Sequence, residues 1–325
     1  MMEHGLPDIL VITGPTGVGK SEAAVIAAEQ LNGEIVSADS RQVYRGLVVG
    51  TDAPSPELRR RITHHLINER DPRQVWSAGA FAAEAAAIIE RIIARGRQPL
   101  VVGGSGFYIR ALTEGLFEEP PADRNERNRV RARLKSRLER EGPAVLHAEL
   151  ARCDPEWAHP VDETDSQRIL RGLEVHELHG VPLTDLQEER QNKPPLEAVW
   201  CTVLLERDRE ELYGRLNARV EILMNSGWLA EARSLMSARI PADAPGLTGL
   251  GYDLLFKHLN GMISFDTAVE GICQEHRNYA KRQLSWFGAM EAHRISLVPE
   301  DGPGETAAKI LSVWRKHLKT GSVKC

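Results

Sequence analysis

The sequence predicts an α/β protein, a parallel sheet core interrupted by a helical insertion. Three observations carry that expectation. Short apolar runs of the kind buried on both faces of a parallel sheet alternate with helix-period segments. The first run passes through a glycine-rich turn of the form GxxxxGK(S/T) straight into a helix. After Pro120-Pro121 the strand signal gives way to charged helical patterns and returns only at Val199.

The elements follow in order. Residues 9–13 are a buried-strand run. From Ser21 to residue 31, Ala24, Ala27, Ala28 and Leu31 fall at i, i+3, i+4 and i+7, and Asn32-Gly33 stops the helix. Residues 34–37 read as a second short strand. Ser77 caps a helix that runs to residue 95, Gly96 ends it, and residues 99–102 form another buried strand opening into Gly103-Gly104-Ser105-Gly106. Strand character is expected again at 199–205 and 295–298, with helices over 209–238 and 265–290; the tail after Pro299 carries no signal. The core is therefore residues 1–119 and 199–325, and the insertion residues 120–198.

Length and composition bound the rest. At about 150 residues per domain, 325 residues allow two domains or one with a large insertion. An apolar share of 42% with 27 Gly and 18 Pro excludes a collagen, a low-complexity array or a disordered chain. A net charge of −5 argues against a surface basic all over, as a general nucleic-acid coat would need, but allows a local basic face. The most apolar stretch, 78–95, is interrupted by Glu84, Glu90 and Arg91, so no membrane span is expected. Residues 1–7 lack a basic leader and the run behind them is too short for a secretory core, which predicts a cytoplasmic location. Cys153, Cys201, Cys273 and Cys325 form no CxxC pair and read as reduced thiols.

Gly14-Pro15-Thr16-Gly17-Val18-Gly19-Lys20-Ser21 is a phosphate-binding loop in the right context, between a buried strand and a helix start. Its backbone N–H groups and the helix N-terminus suit phosphate oxygens, Lys20 supplies charge, and Ser21 can hold Mg²⁺. The motif leaves open which phosphate is bound. The usual acidic residue at the end of an apolar strand is missing from the run ending in Gly103. Asp39 is the best-placed carboxylate, because strand ends of a parallel sheet share one rim, and the phosphate loop, Asp39 and Ser105 then face one crevice. A helix N-cap is the plain alternative for Asp39-Ser40.

Several segments together resemble the tRNA dimethylallyltransferase family, bacterial type. Besides the phosphate loop they are Ser37-Ala38-Asp39-Ser40-Arg41-Gln42-Val43-Tyr44, His64-His65-Leu66 with Asp71-Pro72, and Gly103-Gly104-Ser105-Gly106-Phe107-Tyr108-Ile109-Arg110-Ala111-Leu112. Gln167-Arg168-Ile169-Leu170-Arg171, Gly251-Tyr252 and Tyr279-Ala280-Lys281-Arg282-Gln283-Leu284-Ser285-Trp286-Phe287 complete the set. The resemblance implies transfer of a dimethylallyl group from dimethylallyl diphosphate to the N6 amine of tRNA adenosine 37, with Mg²⁺, by a monomer. It further implies that residues 14–21 cradle diphosphate, that Asp39 is the base for a weakly nucleophilic amine, and that Ser105, where the family usually has Thr, and Arg219 act in the same crevice. Asp39, Ser40, Arg41, Gln42, Arg127, Gln167, Arg168, Arg171, Arg277, Lys281, Arg282 and Gln283 correspond to tRNA-contacting positions.

Residues 123–141 support an RNA face independently. Eight basic against four acidic residues give a local +4, with Arg129, Arg133 and Arg137 on one helical stripe and Arg127, Arg131 and Lys135 on another. An ordinary solvated helix is the bland alternative. His64 and His65, adjacent in a strand, point to opposite faces and cannot chelate one ion. The rival functions are a small-molecule or nucleotide kinase and a non-catalytic P-loop module that binds RNA.

Overall fold

In the computed structural model, which describes residues 6–117, 119–189, 193–249 and 251–321, the chain divides into two compact units. The first comprises Met1–Thr113 and Pro194–Cys325, the second Glu114–Lys193. Cys325 and residues 1–5 lie outside the described residues.

The first half of the larger unit runs β1 (Asp8–Thr13), α1 (Lys20–Gln30), β2 (Gly33–Ser37), α2 (Pro56–Arg61), β3 (His64–His65), α3 (Ala78–Ala94), β4 (Gln98–Gly103) and α4 (Gly106–Thr113). In the smaller unit follow α5 (Arg124–Glu141), α6 (Pro143–Cys153), α7 (Pro155–Ala158), α8 (Ser166–His179) and α9 (Leu183–Glu189). The larger unit resumes with β5 (Val199–Arg207), α10 (Arg209–Asn225), α11 (Trp228–Ser237), α12 (Tyr252–Leu259), α13 (Phe265–Gly288), β6 (His293–Leu297) and α14 (Pro303–Gly321).

All six strands are parallel, in the order β3-β2-β4-β1-β5-β6. The central strands are buried on both faces, which is why they read as unbroken apolar runs. Ala23, Ala24, Ala27 and Ala28 let α1 lie close on the sheet, where Leu10, Cys201, Val203 and Leu205 meet it. Beside α1 on that face packs α14, through Ala307, Ile310, Leu311 and Trp314. The tail after Pro299, silent in the sequence reading, is thus a core helix. The helix expected over 209–238 is two, because Gly227 adopts φ 98° and breaks it. His64 and His65 take separate partners, the Ile62 carbonyl and the Glu34 carboxylate.

The smaller unit has its own core of Leu134, Leu146, Leu150, Ile169 and Leu173. A bridge between Leu116 and Lys193 joins its two ends, so it starts before the Pro120-Pro121 break and closes before Val199. Its basic stripes need correction. Arg127 and Arg171 bond Glu119 at 2.6 Å, Arg131 bonds Glu174 at 2.7 Å, Arg133 pairs with Glu177, and Arg137 is shared by Glu141 and Glu149. Burial raises the Glu119 carboxyl, yet bonds from Arg127, His179 and Arg171 outweigh it and hold the group down to about 2. The +4 of residues 123–141 is largely matched by carboxylates, several from helices distant in sequence.

Candidate active site

The phosphate loop leaves β1 at Thr13 and enters α1 at Lys20. Gly14, Gly17 and Gly19 have φ of 145°, 80° and 107°, and a Cβ on Gly14 would stand 2.5 Å from the Leu205 carbonyl, so the loop is pressed against β5. Three arginines of β5 and α10 bind it. Arg207 Nε donates to the Val18 carbonyl at 3.0 Å, Arg215 Nε to that of Gly17 at 3.0 Å, and Arg219 Nη1 to Thr16 Oγ1 at 2.7 Å. Lys20 Nζ folds back onto the Gly14 and Pro15 carbonyls at 2.8 Å each. Burial pushes its ammonium down to about 7, against the opposing pull of Asp39.

Asp39 follows β2. A Cβ on Gly103 would fall 2.1 Å from the Ala38 carbonyl, so only glycine lets the ends of β2 and β4 come this close. Asp39 Oδ1 accepts the Arg41 and Gln42 N–H groups at 2.8 and 3.2 Å, an Asx turn that fixes the carboxylate. Among the described residues no donor is bonded to Oδ2. Ser105 Oγ accepts the Ser40 N–H at 3.1 Å and bonds the Tyr279 phenol, which burial pushes up to about 12.

Arg219 also pairs with Asp52, Nη2 to Oδ2, at 2.8 Å. The loop bearing Asp52 hangs on Glu231, whose carboxylate accepts the N–H groups of Val48, Val49 and Gly50 at 2.8, 2.8 and 2.9 Å and the Tyr252 hydroxyl at 2.6 Å. His276 is buried, its imidazole pushed down to about 4 by burial and by Arg219, and its Nε2 has no partner.

Thr16, Lys20, Asp39, Asp52, Arg219 and His276 line one cavity of about 670 Å³ within the larger unit. Lys20, Ser21 and Arg219 mark a phosphate end, Asp39 and Asp52 add carboxylates, and Ile67, Val102, Ile222 and Leu223 add apolar wall. Such a site can hold an anion beside an apolar chain and present one free carboxylate oxygen to a reacting group.

The sequence-derived site residues separate into those at the cavity and those spent elsewhere. Lys20, Ser21, Asp39 and Arg219 meet in the cavity, while Ser105 stands behind Asp39 and supports its turn. Arg41 donates to the Pro245 carbonyl and Thr248 Oγ1, and Gln42 to the Thr51 and Asp52 carbonyls, so both order the loops around the carboxylate. Gln283, 6% exposed on the cavity wall, accepts the Thr16 N–H and donates to the Gly104 carbonyl, both at 2.8 Å, tying the phosphate loop to the end of β4. Arg277 ties α13 to α10 through Asn217 at 2.6 Å. Arg127 and Arg171 are taken up by Glu119. Gln167 and Arg168 at the start of α8, and Lys281 and Arg282 on α13, remain exposed. Asp52, Glu231 and His276 were missed; His276 and Gln283 fall on the buried stripe of Ala268, Ile272, Ala280 and Phe287, a signal the helical period already contained.

The model of the family described as IPP transferase matches residues 42–290. The tRNA dimethylallyltransferase of Salinibacter ruber is 45% identical over 293 residues, covering 90% of this chain and 88% of the relative. That of Pelodictyon phaeoclathratiforme is 40% identical over 305 residues, 93% of either chain. The crystal structure of the full-length tRNA isopentenylpyrophosphate transferase of Bacillus halodurans superposes with a TM-score of 0.70 at 29% identity, covering 98% of this chain and 99% of the other. A eukaryotic dimethylallyltransferase solved acting on tRNA shares the fold, with a TM-score of 0.78 at 24% identity, over 97% of this chain and 80% of that one.

Proposed function

The chain belongs to the IPP transferase family, and from that premise we propose that it moves a dimethylallyl group from dimethylallyl diphosphate to the N6 amine of tRNA adenosine 37, releasing diphosphate. It is a prenyltransferase that acts on tRNA. The observation that carries the finer reading is the facing of Lys20 and Arg219 by Asp39 across one cavity with apolar walls.

Diphosphate enters the loop and draws the Lys20 ammonium away from the Gly14 and Pro15 carbonyls, while the N-terminus of α1 adds positive potential. Arg219, already fixed on Thr16 and Asp52, stabilises the charge that grows on the leaving oxygen as the C1–O bond breaks and its electron pair stays with diphosphate. The amine lone pair forms the C1–N6 bond, and its proton passes to Asp39 Oδ2, held ready by the turn on Oδ1. Ser21 and Asp52 line the cavity with oxygen donors that fit Mg²⁺ and leave Asp39 Oδ2 to the proton. When bound there, the ion offsets charge on the diphosphate. Exposed Gln167, Arg168, Lys281 and Arg282 are the side chains left for tRNA, and a base in a single-stranded loop turns out at a cost of only a few kcal/mol. By the same reading the enzyme acts in the cytoplasm as a monomer.

A kinase is not favoured: β4 ends in Gly103 and β5 in Arg207, so neither brings a carboxylate to organise a nucleotide's metal. The test is incubation of unmodified tRNA with labelled dimethylallyl diphosphate, in parallel with labelled ATP and candidate acceptors. Label on adenosine 37 without ATP is expected; a requirement for ATP would overturn the assignment.

A further inference from the structure

Cys201, His293 and His317 each place one donor atom within 4.8 Å of the other two, away from the phosphate loop at the rim of the sheet where the strands begin. Periodicity brings them together. Cys201 shares its face of β5 with the buried Val203 and Leu205, and His293 shares its face of β6 with Ile295 and Leu297. His317 continues the α14 stripe of Ile310 and Trp314 at i+7 and i+3. All three therefore fall in the seam between the sheet and α14.

We propose that Cys201, His293 and His317 bind a divalent metal of the zinc class, with His293 on the solvent side and one coordination position left open. The chemistry of the donors selects the ion: one thiolate and two imidazoles suit Zn²⁺ and exclude the oxygen-seeking Mg²⁺ and Ca²⁺. Zn–S and Zn–N bonds near 2.3 and 2.0 Å put tetrahedral donors roughly 3.3–3.5 Å apart, so the seam needs to close by about 1.5 Å at most. A second observation points the same way. His317 Nε2 is bonded to Asp8 Oδ1 at 2.9 Å, and the ring is stacked on Trp314 at 5.7 Å with planes 16° apart. A carboxylate on one ring nitrogen fixes the imidazole and raises the basicity of the other, the support that metal-bound histidines ordinarily have. Cys201 is 1% exposed, so its thiol is shielded from oxidants while the exposed His293 leaves an entry path. Binding forms an S–metal bond and releases the thiol proton to solvent. The ion would fasten β5, the edge strand β6 and the last helix to one another.

The test uses the full chain, stripped of metal with EDTA and titrated with Co²⁺ as the spectroscopic substitute for Zn²⁺. Expected are a thiolate-to-cobalt charge-transfer band saturating at one equivalent, its bleaching by Zn²⁺, and a rise in melting temperature with Zn²⁺. Cys201→Ser should abolish the band, whereas Cys153→Ser and Cys273→Ser should keep it. His293→Ala, at an exposed position that does not endanger folding, should weaken Co²⁺ binding by at least about tenfold, and Asp8→Asn by about tenfold. Absence of a band, a band that survives Cys201→Ser, or unchanged affinity in His293→Ala would overturn the proposal. Prenyl transfer is read separately, and its outcome does not bear on this site.

Discussion

Replacing Gln283 by Ala distinguishes a clamp from a tRNA contact. The side chain is 6% exposed and bonded at 2.8 Å to Thr16 N and to the Gly104 carbonyl. Each bond contributes about 1 kcal/mol net, and each buried group left without a partner costs about 1–3 kcal/mol, so a loss of roughly 2–4 kcal/mol is expected. Since 1.4 kcal/mol is a factor of ten, even half of that, falling on the loop, weakens diphosphate binding by about tenfold. Urea denaturation reads the first quantity, pyrophosphate titration the second, and filter binding of tRNA is the control, expected to change by less than about twofold. Gln283→Glu keeps the acceptor for Thr16 but sets a carboxylate oxygen against the Gly104 carbonyl, so it should be impaired as well. Unchanged stability and pyrophosphate affinity with weakened tRNA binding would refute the clamp.

Three further outcomes are expected. Asp39→Asn preserves the acceptor for the Arg41 and Gln42 N–H groups but not the base, and should lower kcat about 10²–10⁴-fold at unchanged tRNA affinity; near-normal single-turnover rates would remove Asp39 from the chemistry. Lys20, lowered to about 7 from 10.5, binds fewer protons folded than unfolded between those values, so stability of the free protein should rise as pH climbs from 7 toward 10.5. Diphosphate needs the charged form, so pyrophosphate affinity should fall above pH 7 more steeply than in Lys20→Met, and equal slopes in the two proteins would contradict this. Lys281→Ala, at an exposed position, should flatten the salt dependence of tRNA binding by about 0.7–0.9 in log–log slope, whereas Arg137→Ala, whose charge is already matched by Glu141 and Glu149, should leave it unchanged.

What the sequence made legible was local. The buried runs, the phosphate loop and the Ser77 cap are patterns within a few residues, and each stands where it was expected. Partners distant in the chain were not legible. The arginines of α5 looked free because Glu174 and Glu177 lie some 44 residues further on, and only packing brings them together. Gln283 looked like a surface group because polar side chains usually are; its place on the stripe of Ile272, Ala280 and Phe287 was the better guide. The α14 stripe was equally present, at i, i+3, i+4 and i+7 from Ala307, but was masked by Lys309 within it and by the basic run Arg315-Lys316 after it.

The carboxylate of Glu231 reaches the phosphate loop without touching it. It gathers three successive backbone amides of residues 48–50, that segment carries Asp52, Asp52 orients Arg219, and Arg219 holds Thr16. Gly50 has no room for a side chain, since a Cβ would meet the Trp228 ring nitrogen at 2.1 Å and the Tyr252 oxygen at 2.4 Å. The aim of the arginine is therefore inherited through a relay of fixed parts rather than set by its own helix. Selection on donor affinity consequently extends to α11 and to the Gly251-Tyr252 pair, and a lesion there would masquerade as a fault in the phosphate loop, open to second-site repair anywhere along the relay.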